Sequence, residues 1–132
     1  TQVGSSAASD VYKRQFSHWI TPDIEVKRFD TRFFIACLPE NQTGIHDGNE
    51  LVNSVWITVD EAIKKAYAGE MNMIMPTIKN LEQCSGFKTI KDLLDHQQKL
   101  TNKDIPPILP KFFKKDGNWV GLLPGDEGYD DN

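Results

Sequence analysis

The pattern of apolar and polar residues predicts strands at both ends of the chain and helices between them. Residues 16–20 are aromatic and apolar and precede Thr21 and Pro22, which is typical of a short strand that ends in a turn. Residues 33–38 are apolar without alternation, which predicts a central strand covered on both faces. Residues 50–57 predict a further strand.

Three helices are predicted between Thr58 and the helix-breaking Ile105-Pro106-Pro107. Apolar residues recur there at helical spacing, and residues that favour helix ends lie at the expected boundaries. The boundary residues are Thr58 and Gly69 for the first helix, Pro76 and Gly86 for the second, and Thr89 for the third. Residues 108–114 and 118–123 then flank Lys115-Asp116-Gly117, which predicts a terminal β-hairpin. The fold class is therefore α/β, in the broader sense of a mixed α+β protein.

Composition limits the function classes. The 132 residues are enough for one domain, and 39% hydrophobic with 26% charged residues is typical of a globular chain. The net charge of -4 argues against a nucleic acid partner, and no apolar run approaches the roughly 20 residues that span a membrane. Cys37 and Cys84 have no zinc-ligand spacing. We expect them to be free thiols in a cytoplasmic protein, with a disulfide as the alternative.

The first fifteen residues differ in character from the rest. They are small and polar, and residues 6–15 resemble a translated sequencing adapter. We therefore expect residues 1–15 to be a non-native or disordered leader and residues 16–132 to be the protein domain, with a native flexible tail as the alternative.

No catalytic constellation is evident from residue types alone. The acidic residues are scattered, the three histidines form no ligand pair, and the sequence contains no nucleophile elbow, P-loop or G-x-G-x-x-G motif.

Two neighbouring motifs are more informative about function than the residue types alone. His18-Trp19-Ile20-Thr21-Pro22 and the Arg28-Phe29-Asp30-Thr31-Arg32-Phe33-Phe34 run resemble a segment of the acyl-coenzyme A diphosphatase-like branch of the Nudix hydrolases. That branch has the pattern W-I-T-P…R-[FY]-D-T-R-F-F after its Nudix helix. The similarity continues through residues 46–50, residues 56–58 with 61–62, residues 76–77 with 81–82, residues 107–110 and residues 123–129.

The resemblance implies the C-terminal part of a Nudix α/β/α sandwich with a mixed sheet. Enzymes of this family cleave the pyrophosphate bond of nucleoside diphosphate derivatives, and the resemblance to this branch implies coenzyme A or acyl-coenzyme A as the candidate substrates. They use Mg²⁺ or Mn²⁺ held by glutamates of the Nudix box, G-x5-E-x7-R-E-U-x-E-E-x-G-U. The sequence contains no such box. We therefore expect this chain to be inactive and to bind no metal by itself. The alternative is a non-catalytic Nudix-like binding or interaction module.

Three residues are candidates for the parent enzyme's site. Arg28 and Arg32 would share a strand face with Asp30 and could contact substrate phosphates, or they could form ion pairs with Asp30 and nearby carboxylates. Glu50 is similar to a loop glutamate that some Nudix enzymes use as a general base or metal ligand; the alternative is a solvated surface acid. His46 and Asp47 are weaker candidates.

Four aromatic residues are predicted to have a structural role. Phe29, Phe33, Phe34 and Trp56 are predicted to fill a core, with stacking on an adenine base as the alternative.

A sheet that lacks its N-terminal strands would expose an open edge and an uncovered apolar face around residues 33–38, which predicts self-association.

Overall fold

The computed structural model describes residues 13–45, 47–50 and 53–132, which contain helices and two small antiparallel sheets. The mixed α+β class predicted from the sequence is confirmed. The elements in chain order are β1 (Arg14–Ile20), β2 (Asp30–Ile35), α1 (Val59–Tyr67), α2 (Met75–Cys84), α3 (Ile90–Gln98), a 3₁₀ turn (Asn102–Asp104), β3 (Lys111–Lys115) and β4 (Asn118–Leu122).

The chain forms two compact units. The helical unit contains Ala36–Gln98, and the strand unit contains Gln15–Ile35 and Lys99–Asn132. Within the part of the chain that the structure describes, no helix is long and apolar enough to cross a membrane. Most of the predicted leader, residues 1–12, lies outside the described residues, and β1 begins at Arg14, inside the segment 1–15.

The core of the strand unit is built on β1. Phe16 and Trp19 are buried, and so are Ser17 and His18 between them. On one side β1 pairs with β2. On the other side it forms a parallel bridge with Ile108, whose amide donates to the His18 carbonyl at 2.7 Å. With hydrogen-bonded neighbours along both of its edges, β1 is the central strand among the described residues of this unit.

The prediction of a central strand at residues 33–38 is wrong. β2 ends at Ile35, and its single neighbour among the described strands is β1. Phe34 is 52% exposed and Leu38 46% exposed. Among the described strands β1 occupies the central position, with β2 on one side and Ile108 on the other. The apolar run that begins in β2 therefore lies beside the central strand and not at the centre.

The prediction of a strand at residues 50–57 is also wrong for Asn53–Ile57, which pair with no strand among the described residues. The helical unit contains no other strand among its described residues, so the backbone there has nothing to pair with. Trp56 is 82% exposed, and Val55 is exposed beside it. The prediction that Phe29, Phe34 and Trp56 fill a core is therefore wrong for all three.

The predicted helix boundaries are confirmed. The Thr58 hydroxyl accepts a hydrogen bond from the Glu61 amide at 3.2 Å and caps α1. Gly69 follows α1 at a φ of +76°, a conformation that glycine adopts without strain. Pro76 lies in the first turn of α2. The Thr89 hydroxyl accepts from the Asp92 amide at 3.1 Å at the start of α3.

Helices α1 and α2 pack against each other in the helical unit. Ala62 is the buried residue of α1. At the other end of the pair, the Tyr67 hydroxyl donates to Glu82, and the Lys79 ammonium donates to the same carboxylate at 2.8 Å. Glu82 therefore links the two helices through its ionised form.

This linkage predicts a pH dependence of the α1–α2 pair. Hydrogen bonds from Lys79 and then Tyr67 hold the pKa of Glu82 below its ordinary value of 4.5, so their contribution is complete above that pH and is lost as the carboxylate protonates at lower pH. The hydrogen bond to Glu82 raises the pKa of Tyr67 above 10.0, so its contribution is lost as pH rises through the raised value. We expect Glu82→Gln to reduce the loss of helicity at low pH, measured by circular dichroism. Glu40→Gln, in an exposed loop, should leave the loss of helicity at low pH unchanged. Equal effects of the two substitutions would contradict the linkage.

The predicted hairpin is confirmed. β3 and β4 are antiparallel, and Lys115 pairs with Asn118 across a two-residue turn. Asp116 and Gly117 both have positive φ, at 52° and 81°, as a type I′ turn requires. Opposite Phe112, Gly121 lets the ring lie against the backbone, since an added Cβ would come within 2.6 Å of it.

Candidate functional site

The two family-like motifs meet where β1 and β2 are joined. The Thr21 amide donates to the Phe29 carbonyl at 2.9 Å, and the Thr21 hydroxyl accepts from the Phe29 amide at 2.9 Å. These bonds close residues 22–28 into a loop. Threonine suits this position because its side chain satisfies an amide that a turn would otherwise leave unpaired.

Arg28 holds the loop from within. Its Nη2 lies 2.6 Å from Asp23 Oδ1, and its Nε donates to the Thr21 carbonyl at 3.1 Å. The side chain is about two-fifths exposed. Guanidinium has five N–H donors, so these two contacts orient the group without exhausting it.

Asp30 and Arg32 lie in β2, whereas Arg28 precedes it. Asp30 Oδ1 lies 2.5 Å from His18 Nε2, so the acid contacts a buried histidine of the neighbouring strand. The Arg32 guanidinium makes a long contact of 3.5 Å with the Gln15 side chain. The structure therefore pairs Arg28 with Asp23 and Asp30 with His18, and brings neither arginine into an ion pair with Asp30 among the described contacts.

Sequence reasoning missed the His18–Asp30 pair. The signal was present in the two motifs themselves, since each contributes one partner. Neighbouring strands place such residues side by side once the connecting turn is closed.

An open groove of about 220 Å³ adjoins the loop. One wall is the turn after β1, and the other is the segment that leads into β3. The lining consists of residues 22–24, residues 109–113 and Asn132. Asp23, the partner of Arg28, is thus part of the groove wall. Ile24 and Phe112 are exposed large apolar side chains within the lining.

Lys111 fixes the second wall of the groove to the C-terminal residues. Its ammonium donates to the carbonyls of Tyr129 and Asn132, at 2.8 and 2.6 Å, and lies 4.3 Å from the centroid of the Tyr129 ring. The Tyr129 hydroxyl in turn donates to the Leu109 carbonyl at 2.7 Å. No local sequence signal marks Lys111, because its partners lie far along the chain.

Glu50 belongs to the helical unit, where it is exposed. Nearby, Asp47 accepts a hydrogen bond from the Asn49 amide at 3.0 Å, as in an Asx turn. His46, the weaker candidate, lies outside the described residues, as do Leu51 and Val52.

A metal site of the kind that the Nudix resemblance implies would need several acidic or imidazole ligands in one place. In residues 13–45, 47–50 and 53–132, no three His, Cys, Asp or Glu side chains come together in a way that could hold a metal ion. The described residues therefore do not fit such a site by themselves.

Two known proteins are similar in sequence to this chain. An acyl-coenzyme A diphosphatase of Homo sapiens, NUDT19, is 29% identical to the chain over 116 residues, or 86% of the chain and 31% of that protein. The NUDT19 acyl-coenzyme A diphosphatase of Xenopus laevis is 26% identical over 120 residues, or 88% of the chain and 32% of that protein. The chain is similar to Nudix acyl-coenzyme A diphosphatases. The resemblance found in the sequence is confirmed.

The similarity covers only part of each of these relatives. The chain spans about a third of the length of these two relatives. No protein-family model and no solved structure matches the chain significantly.

Proposed function

We propose that the chain is the C-terminal part of a longer metal-dependent Nudix hydrolase. That protein would cleave the pyrophosphate bond of a nucleoside diphosphate derivative, with coenzyme A or acyl-coenzyme A as its substrate class. The observation that carries the proposal is the similarity, over 86% of the chain, to a protein named as an acyl-coenzyme A diphosphatase. The shared motifs also form one hydrogen-bonded corner beside a groove, which favours a common role.

In this proposal the chain alone is inactive. Mg²⁺ or Mn²⁺ would neutralise the charge of the pyrophosphate and activate water, and its principal ligands would be residues of the longer protein outside the present sequence. The described residues of this chain would contribute substrate contacts and shape to the site.

Arg28 is the stronger of the two arginine candidates for contacting phosphate. Asp23 and the Thr21 carbonyl orient its guanidinium beside the groove, and three of its five donors are left for a ligand. Asp23 neutralises part of the charge, so we expect Arg28 to contribute directional hydrogen bonds more than net attraction. Glu50 remains the candidate base or metal ligand.

The first test is the DNA upstream of the codon for Phe16. We expect an in-frame segment that encodes G-x5-E-x7-R-E. Independent reads that show a start codon before Thr1 and no such box would contradict the proposal and favour a stand-alone binding module.

The longer protein then tests the residues. Charge-assisted hydrogen bonds contribute roughly 1.5–3 kcal/mol, so Arg28→Gln should lower kcat/KM for coenzyme A about 10- to 100-fold. Glu50→Gln should lower kcat about 10²-fold or more if it is the base. Lys27→Gln, at the exposed neighbouring position, is the matched control. Unchanged turnover in Glu50→Gln would remove that residue from the mechanism.

A further inference from the structure

The groove beside Arg28 has a mostly apolar lining, all of it within the strand unit. The apolar lining residues are Pro22, Ile24, Leu109, Pro110, Phe112 and Phe113. The groove volume of about 220 Å³ is below the roughly 300–1,000 Å³ of sites that enclose a whole drug-sized ligand. The groove therefore fits one part of a larger molecule.

The two charged residues of the lining are held by other groups of the protein. Asp23 Oδ1 lies 2.6 Å from Arg28 Nη2. The Lys111 ammonium donates to the carbonyls of Tyr129 and Asn132 and lies over the Tyr129 ring. A charged ligand group in the groove would have to displace these partners or lose its hydration, and both are costly. The lining therefore favours an uncharged, largely apolar group.

Asp23 joins the groove to the phosphate contact proposed for Arg28. The carboxylate that orients the guanidinium belongs to a residue of the groove wall. A group in the groove therefore lies within about a side-chain length of a phosphate bound to Arg28. In one ligand molecule, the two must be attached to each other directly or through very few bonds.

In the substrate class of the proposed function, two different groups adjoin the pyrophosphate. On one side is the pantetheine arm, which is uncharged and begins with a carbon that bears two methyl groups. On the other side is adenosine, whose ribose carries a further phosphate. That phosphate would meet the Asp23 carboxylate, and like charges at close range repel each other. The acyl group is at the far end of the pantetheine arm, too far from the pyrophosphate to lie beside Arg28.

We propose that the groove binds the start of the pantetheine arm, while Arg28 contacts the phosphate attached to it. The two methyl groups pack against Ile24 and Phe112, the large apolar side chains that are exposed in the lining. Asp23 then orients Arg28 and also disfavours the charged adenosine half. The inference rests on the proposed function for the identity of the substrate, but it concerns binding by this chain and not hydrolysis.

Binding of the two halves of coenzyme A to the purified chain tests the proposal. Amide resonances of the ¹⁵N-labelled chain are followed by NMR as 4′-phosphopantetheine or adenosine 3′,5′-bisphosphate is added, with a reducing agent and without metal. We expect 4′-phosphopantetheine to shift the amides of residues 23–28 and 111–113. It should bind about tenfold more tightly than the bisphosphate, or better, since burial of two methyl groups alone contributes about that factor.

Two substitutions in the same loop separate the groove from general effects of charge. Ile24→Asp places a carboxylate in the apolar wall and should weaken the binding of 4′-phosphopantetheine about tenfold or more. Val26→Asp adds the same charge at an exposed position of the loop outside the groove lining. It should change the affinity by less than about twofold.

Arg28→Gln tests the link between the groove and the phosphate. It should weaken the binding of 4′-phosphopantetheine about tenfold, because a charge-assisted hydrogen bond to the phosphate is lost. The binding of pantetheine, which has no phosphate, should be unchanged. An equal loss for both compounds would show that Arg28 only maintains the loop, and it would overturn this part of the proposal.

Equal or tighter binding of adenosine 3′,5′-bisphosphate would overturn the proposal and assign the groove to the nucleotide half. Equal effects of Ile24→Asp and Val26→Asp, or no shift with 4′-phosphopantetheine up to about 10 mM, would also overturn it. These outcomes are distinct from a failure of the proposed function, which would show as a gene without a Nudix box or as a longer protein without turnover.

Discussion

Replacing Trp19 by alanine should remove a large share of the stability of the strand unit. Trp19 is 4% exposed, lies in the buried centre of β1 and forms the bridge to Ile108. Truncation of a buried tryptophan costs about 3–5 kcal/mol, through lost burial and the cavity that remains. A domain of this size is stable by only about 5–15 kcal/mol. We expect the unfolding midpoint in urea, followed by circular dichroism, to fall sharply for this unit.

The chain offers a matched control for this substitution. Trp119, in β4 of the same unit, is 59% exposed, and its ring interacts with the Lys114 ammonium at 5.3 Å. Trp119→Ala should cost about 1 kcal/mol or less. If both tryptophan substitutions had the same effect, β1 would not be the core of the unit.

Enlarging Ala62 should destabilise the helical unit. Ala62 is 3% exposed and is the buried residue of α1, the helix that packs against α2. Leucine at this position would force the helices apart or adopt a strained rotamer, at a cost of about 1–3 kcal/mol. The measurement is the thermal midpoint of helicity.

Lys64→Leu is the control for this second substitution, since Lys64 is exposed on the same helix. We expect a change within about 0.5 kcal/mol for Lys64→Leu. A larger loss for Lys64→Leu than for Ala62→Leu would place the packed face of α1 elsewhere.

The helices and the hairpin were predictable because their signals are local. The Thr58 cap depends on a hydroxyl three residues from the amide that it accepts from, and the turn at Asp116 and Gly117 depends on two residues that tolerate positive φ. Such features are determined within a few residues and do not require knowledge of the rest of the fold.

The order of the strands was not predictable in the same way. Six apolar residues at 33–38 indicate burial, but they do not state which strand lies beside them. The parallel bridge between Trp19 and Ile108 joins distant parts of the chain, and it gives β1 its second neighbour. Hydrophobic runs therefore indicated β1 and β2 but assigned the central position to the wrong one.

The candidate site was partly predictable for a related reason. The motifs identified the corner that contains Arg28 and Asp30, but not the partners of these residues. Asp23 and His18 become their neighbours only after the loop closes at Thr21. The contacts of Lys111 with the C-terminal residues carry no motif at all.

The most direct test of the central claim is the turnover of the purified chain with coenzyme A and Mg²⁺. We expect no Mg²⁺-dependent release of nucleotide monophosphate above the rate without protein, while the longer protein from the same gene releases it. Metal-dependent release by the present chain alone would contradict the claim that its hydrolytic ligands lie outside this sequence.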